Sequence, residues 1–178
     1  GEEGKKLNYV MAEEVAGQLG IKAEEVLTAS TGVIGMPLVK EALQKGAKLL
    51  AKGLSDDTAA GLKAAEAIMT TDTVSKQSAV MVEVGGRTFY VGGMSKGSGM
   101  IHPNMATMLS VTTTDVAIAP DLLQEIVSEA VADSFNMISV DRDTSTNDTY
   151  LVLANGESGI TVERGTKEYD AFKEAVVF

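Results

Sequence analysis

The chain has 178 residues, 44% of them hydrophobic, and a formal net charge of −10 from 25 acidic and 15 basic side chains. That content suits one domain or one large piece of a bigger one, and so acidic a surface repels phosphate backbones, which excludes nucleic acid as an expected partner. No apolar run approaches the ~20 residues of a membrane span, and the lack of cysteine excludes a disulfide scaffold and thiol catalysis.

Leu7, Val10, Met11, Val15 and Leu19 recur at helical spacing, and Gly20 can stop that helix. Residues 25–30 read as a short strand running into the loop Ser30-Thr31-Gly32-Val33-Ile34-Gly35. Pro37 is expected to open a second helix carrying Leu38, Val39, Ala42, Leu43 and Leu50 on one side. Ser55 is the expected N-cap of a third helix, ending near Met69 and built largely on alanine. Val80, Val82 and Val84 alternate as one arm of a β-hairpin; Gly85-Gly86 is its turn and residues 88–91 return. A loop over residues 92–104 follows, then a buried strand over 105–116, then a helix from Pro120 with Leu122, Leu123, Ile126, Val127, Ala130 and Val131 inward. Ser139-Val140 and residues 150–154 read as strands separated by a polar loop. Tyr169, Phe172, Val176 and Val177 trace a last helix, which reaches Phe178 without a cap or a polar tail, so the native chain is expected to continue.

This order predicts an α/β layered sandwich with a mixed, substantially antiparallel sheet, rather than a doubly wound nucleotide fold. Residues 1–178 read as a single domain or a partial one, with no repeat, low-complexity tract or linker. The chain start lacks the basic-then-apolar layout of a signal peptide, and the expected setting is the cytoplasm.

The chemistry concentrates in residues 96–109, KGSGMIHPNMATML. A glycine loop runs into an apolar strand, and Ala106 and Thr107 sit at the junction. There the Thr107 hydroxyl can approach the Ala106 carbonyl, and an acyl shift with hydrolysis leaves Thr107 as a new N-terminus. Its freed amine then serves as base for its own hydroxyl. From spacing alone, a glycine-rich segment before a strand is more often just a loop.

The string KGSGMIHPNMATML closely resembles the self-cleavage segment of the ornithine acetyltransferase (glutamate N-acetyltransferase) family. STGVIG at 30–35 looks like that family's oxyanion segment, IMTTDT at 68–73 like a substrate-binding segment, and VDRDTSTNDT at 140–149 like the family's VDGDTSTNDT. The motifs occur in the family's order and the resemblance covers the chain from its first helix to its end. It implies a fold like the family's layered α/β arrangement, and cleavage between Ala106 and Thr107 into residues 1–106 and 107–178. It also implies acetyl transfer from N2-acetylornithine to glutamate through an acyl-Thr107 intermediate, with ping-pong kinetics and no cofactor. Some members also accept acetyl-CoA, and the sequence leaves that open. By the same resemblance Thr31 and Gly32 form the oxyanion hole, and Thr70 and Lys96 contact substrate. Thr71 and Thr73 share the chemistry of Thr70. The two cleaved chains are expected to stay associated, in a higher oligomer.

Two other readings stand beside this one. An amidohydrolase or aminopeptidase would give the acyl group to water, and a non-catalytic domain would bind a small molecule or a partner. A metal centre is not expected: His102 is the single histidine, and HExxH and CxxC patterns are absent. Asp141, Asp143, Asn147 and Asp148 lack the spacing, glycine and glutamate of an EF-hand and read as a turn-rich structural loop. The Lys96 glycines do not make a phosphate loop, because the lysine precedes them. The chain also departs from the family. It is shorter, so later substrate contacts, including a glutamate, lie outside it. Ser95 stands where alanine is common, and Arg142 replaces a glycine; if that position takes positive φ, arginine is strained there.

Overall fold

Gly20 adopts φ 71° and ψ 30°, the left-handed conformation glycine reaches without a Cβ penalty, and ends helix α1 (Glu2–Leu19) where the sequence predicts. The computed structural model describes residues 1–102 and 108–178. It divides into two units, residues 1–61 and 62–178, and the division falls inside α3 (Thr58–Ala67).

In the first unit α1 packs against α2 (Lys40–Lys52). Ala12 and Ala16 are its buried residues, and the Gln44 amide donates to Glu14 Oε1 at 2.7 Å. The strand expected over residues 25–30 does not form. A short 3₁₀ turn (Ala23–Glu25) precedes an extended stretch with no ladder, because this unit contains no second strand to supply one. Pro37 precedes its helix rather than opening it; Val39 takes extended angles at the cap position and the helix begins at Lys40. Ser55 likewise lies two residues before the position that caps the helix. Asp57, next to the first residue of α3, accepts from the Ala60 N–H at 2.6 Å, while Ser55 Oγ donates to Asp57 Oδ2 at 2.6 Å.

In the second unit β1 (Lys76–Val84) and β2 (Arg87–Lys96) form the predicted hairpin. Gly85 and Gly86 have φ 60° and 74°, the pair of positive values that a twist-matched two-residue turn requires. β3 (Leu109–Thr114) pairs antiparallel with β2, and β5 (Thr149–Ala154) pairs parallel with β3, in the order β1-β2-β3-β5. A small parallel sheet joins β4 (Ala117–Ile118) to β6 (Thr161–Val162). Two helices, α4 (Pro120–Ala132) and α5 (Lys167–Val177), complete the unit. The architecture is mixed α/β with a mostly antiparallel main sheet, as composition and order suggest.

β2 runs farther than predicted. Residues 92–96 read as loop because of their glycines, yet β3 ladders all of them and β1 ladders 92–95 on the other side. Gly93 fits because its neighbours are close: a Cβ there would lie 2.5 Å from Thr112 Oγ1. The strand expected at Ser139-Val140 is absent, and the Val140 N–H instead donates to the Ile101 carbonyl at 2.8 Å. Of the strand expected over 105–116, residues 109–114 form β3, and 105–107 lie outside the described residues.

The core joins Val84, Phe89 and Val91 of the hairpin to Leu122 and Ile126 of α4, Val162 of β6, and Phe172 and Ala175 of α5. Phe89 and Phe172 are fully buried, their ring centroids 6.1 Å apart at 53°. Among the described residues no helix is long and apolar enough to cross a membrane. Replacing Phe172 by alanine is expected to lower the unfolding free energy by ~3–5 kcal/mol. Urea titration of the purified chain checks it, and a loss below ~1 kcal/mol would contradict the core position assigned to this ring.

Candidate functional site

Lys96 closes β2, and Gly97, at φ 147°, turns the chain out of the sheet. Lys96 is 3% exposed. Burial lowers its pKa, and the charges of Asp72 and Asp148 act in the opposite sense. A buried cation facing carboxylates from two other segments is a far more constrained object than the solvated loop lysine its sequence setting suggests.

Asp72, in the loop between α3 and β1, organises this end of the sheet. Its side chain has no exposed surface. Oδ1 accepts from the Gly97 N–H at 2.7 Å and from Lys76 Nζ; Oδ2 accepts from the Thr70 N–H at 3.2 Å. Burial pushes its carboxyl pKa up, but the bonds from Lys76, Gly97 and Thr70 outweigh burial and hold it at about 2. Beside it Thr71 Oγ1 and Ser98 Oγ lie 2.7 Å apart. Two of the sequence motifs, residues 68–73 and 96–99, therefore meet in space.

The third motif closes on the same segment from its other side. Asp141 accepts from the Met100 N–H at 2.6 Å and the Ile101 N–H at 3.0 Å. Those backbone bonds, Met100 first, hold its carboxyl below the ordinary carboxylate range. His102 Nδ1 lies 3.1 Å from Ser139 Oγ. Asp148 accepts from the Met108 N–H at 2.8 Å, and the Met108 carbonyl accepts from Thr149 N–H at 3.1 Å. Local bonds such as Asn147 N–H to Ser145 Oγ fit the turn-rich reading of residues 140–149; the loop's grip on residues 100–108 is the part the sequence did not reveal.

Of the predicted residues, Thr70 and Lys96 come together around Asp72. Thr31 and Gly32 lie in the first unit, just before a turn in which the Met36 N–H donates to the Val33 carbonyl at 3.1 Å and Gly35 takes φ 87°. Ala106 and Thr107 lie outside the described residues. Sequence reasoning missed Asp72, whose only signal is that it is the one acid among the hydroxyls of IMTTDT. Among the described residues no group of three or more histidines and acids is placed to hold a metal ion. A cavity of about 470 Å³ opens beside Ser95, Ser110, Thr112 and Tyr150, and neither Lys96 nor Thr70 lines it.

The arrangement can fix a backbone. Carboxylates accept from Gly97, Met100, Ile101 and Met108, so both described ends of the segment are held. Asp72 carries a pH signature. Its folded pKa, about 2, lies below the ordinary 3.8, so its stabilisation is complete above about pH 4 and is lost as pH falls through about 2. Asp72→Asn is expected to remove ~2 kcal/mol of pH-dependent stability from that window. Urea titrations from pH 5 to about 2 would show a flatter dependence in the variant, and equal slopes would overturn the assignment. Arg142 has φ 66°, the left-handed region its glycine counterpart enters freely. Arg142→Gly is expected to raise stability by ~1 kcal/mol, strain relief outweighing the entropy of glycine. A lower melting temperature for the variant would refute this.

A sequence model of the ArgJ family matches residues 1–178. The chain is 51% identical over 177 residues to "Arginine biosynthesis bifunctional protein ArgJ" of Symbiobacterium thermophilum, covering 99% of this chain and 44% of that protein. It is 49% identical over 181 residues to "Arginine biosynthesis bifunctional protein ArgJ 1" of Clostridium acetobutylicum, covering 99% and 43%. With the chloroplastic ArgJ of Ostreococcus lucimarinus it shares 47% over 159 residues, 89% of this chain and 34% of that protein. The chain thus spans less than half the length of these relatives. It belongs to the ArgJ family, the one to which the motif at residues 96–109 pointed.

Proposed function

We propose that this chain carries the self-cleaving nucleophile of an acetyltransferase in arginine biosynthesis, and that Thr107 is that nucleophile. The observation that carries the reading is the holding of Gly97, Met100 and Met108 by Asp72, Asp141 and Asp148, which draws two separated motifs onto the segment containing Ala106-Thr107. Relatives named for arginine biosynthesis support it.

In this reading Thr107 Oγ attacks the Ala106 carbonyl carbon. The C–N bond breaks as the C–O bond forms, and the hydroxyl proton passes to the departing amine. Water then hydrolyses the ester, giving the Ala106 carboxylate and restoring the Thr107 hydroxyl. The new α-amine takes the proton of that hydroxyl as it attacks the acetyl carbonyl of N2-acetylornithine. Ornithine leaves with a proton on its amine, and acetyl stays on Thr107 as an ester. The glutamate amine attacks that ester, releases N-acetylglutamate and returns the proton to Thr107. Thr31 and Gly32 take the role of oxyanion donors, each such donor being worth ~100- to 1,000-fold in rate. Lys96 and Thr70 take the role of substrate contacts, the ammonium matching a carboxylate. No cofactor enters these steps.

Intact mass under denaturing conditions, beside a Thr107→Ala control, tests the first step. The expected outcome is two pieces, residues 1–106 and 107–178, from the parent chain and one piece from the control. A single uncut chain in both would overturn self-cleavage. The two pieces are expected to elute together in gel filtration without denaturant, since β2 and β3 would belong to different pieces of one ladder. Acetyl transfer to added glutamate, against release of free acetate, then separates a transferase from a hydrolase.

A further inference from the structure

Met108 is held by both of its backbone polar groups, and both partners come from adjacent residues. Its N–H donates to Asp148 Oδ1 at 2.8 Å, and its carbonyl accepts from Thr149 N–H at 3.1 Å. Its side chain is buried, and the following residue, Leu109, opens β3 in register with Thr149. Residue 108 is thus the fixed point from which the described chain enters the sheet.

The Met108 N–H shares a rigid peptide plane with the Thr107 carbonyl. Whatever fixes that N–H fixes the plane on the C-terminal side of the Thr107 Cα, and leaves the proposed nucleophile far fewer orientations to search. We infer that Asp148 is a positioning residue for chain cleavage: by holding the Met108 N–H it orients the peptide that follows Thr107. The inference rests on the reading that the chain cuts itself at Ala106–Thr107. Asp148 forms and breaks no covalent bond in the step. Its part is geometric, and intramolecular attack is sensitive to geometry, a misplacement of ~1 Å costing on the order of 100-fold.

A carboxylate suits the task because it is acceptor-only and makes a charge-assisted bond to an amide N–H. It also faces Lys96, whose charge it favours. These two contributions separate by substitution. Asparagine keeps a carbonyl acceptor for Met108 and discards the charge; alanine discards both.

The experiment compares the parent chain, Asp148→Ala and Asp148→Asn for the rate at which fresh precursor converts to two pieces, read by intact mass. Deuterium exchange at the Met108 amide is read in parallel in the uncut Thr107→Ala background. Asp148→Ala is expected to slow cleavage by ~100-fold and to speed Met108 exchange. Asp148→Asn is expected to stay within about threefold of the parent in cleavage, with Met108 still protected. A general loss of stability would not produce this selective rescue by asparagine. Equal cleavage in the parent and Asp148→Ala overturns the inference and leaves self-cleavage standing. Asparagine as slow as alanine also overturns it, since charge rather than the held amide would then govern the rate. If the parent never cuts, the cleavage reading falls and this inference falls with it. If Asp148→Ala does not fold, the asparagine rate and the Met108 exchange of the Thr107→Ala chain decide. An unprotected Met108 amide there is again an overturning result.

Discussion

A buried carboxylate must be satisfied or neutral, and Asp72 is satisfied. Removing an unpaired carboxylate from water is costly enough that a protein ordinarily protonates it instead. Here Lys76 and the N–H groups of Thr70 and Gly97 converge on its two oxygens and keep it ionised. The constraint is reciprocal: the loop after α3 and the exit of β2 have to sit where those donors reach. Lys96 follows from the same contact, because a buried ammonium needs nearby negative charge and Asp72 supplies part of it.

The segment beyond Gly97 poses the complementary problem. Its described residues leave the sheet at Gly97 and have no ladder to receive their N–H groups, yet backbone donors away from water need acceptors. Asp141 and Asp148 provide them from a loop whose own turns are closed by Ser145 and by Asp141 itself. The polar composition of residues 140–149 is therefore not merely solvated surface. Its acids act as detachable sheet edges, offering oxygen atoms where no strand runs. Arg142 at positive φ lies in the middle of this loop, and the grip of its neighbours on Met100 and Ile101 helps explain why an unfavourable conformation persists there.

Local signals carried much of the fold. Gly20, Gly85-Gly86 and Pro120 punctuate the chain where the structure does, because each acts within a few residues. Signals that depend on a distant partner were misread. The glycines at 92 and 93 look like loop until Thr112 is known to press against the second of them. Val26 and Leu27 look like strand until their unit is found to hold no other. β4 and β6 have two residues each, too few to make a pattern. For the site, motif resemblance singles out Thr70 and Lys96, but Asp72, which gathers them, shows in the sequence only as the one acid among the hydroxyls of residues 68–73, and Asp148 only as a turn former. Asp148 and Met108 are 40 residues apart in sequence, and no spacing rule links them.

These contacts also explain how the fold can accommodate a break between Ala106 and Thr107. Such a cut would remove one covalent link and none of the ladder pairs between β2 and β3, which run from Val91 with Thr114 to Lys96 with Leu109. The core spans the same divide: Val84, Phe89 and Val91 precede the break, while Val116, Leu122, Ile126, Ile160, Val162 and Phe172 follow it. Asp72 and Gly97 lie together on one side, Asp148 and Met108 together on the other. Asp141 reaches across, to Met100 and Ile101, and so do Ser139 to His102 and Val140 to Ile101. Under the proposed cut each piece would keep an anchor of its own, and the buried sheet and core, rather than the peptide bond at the junction, would hold the pieces in register.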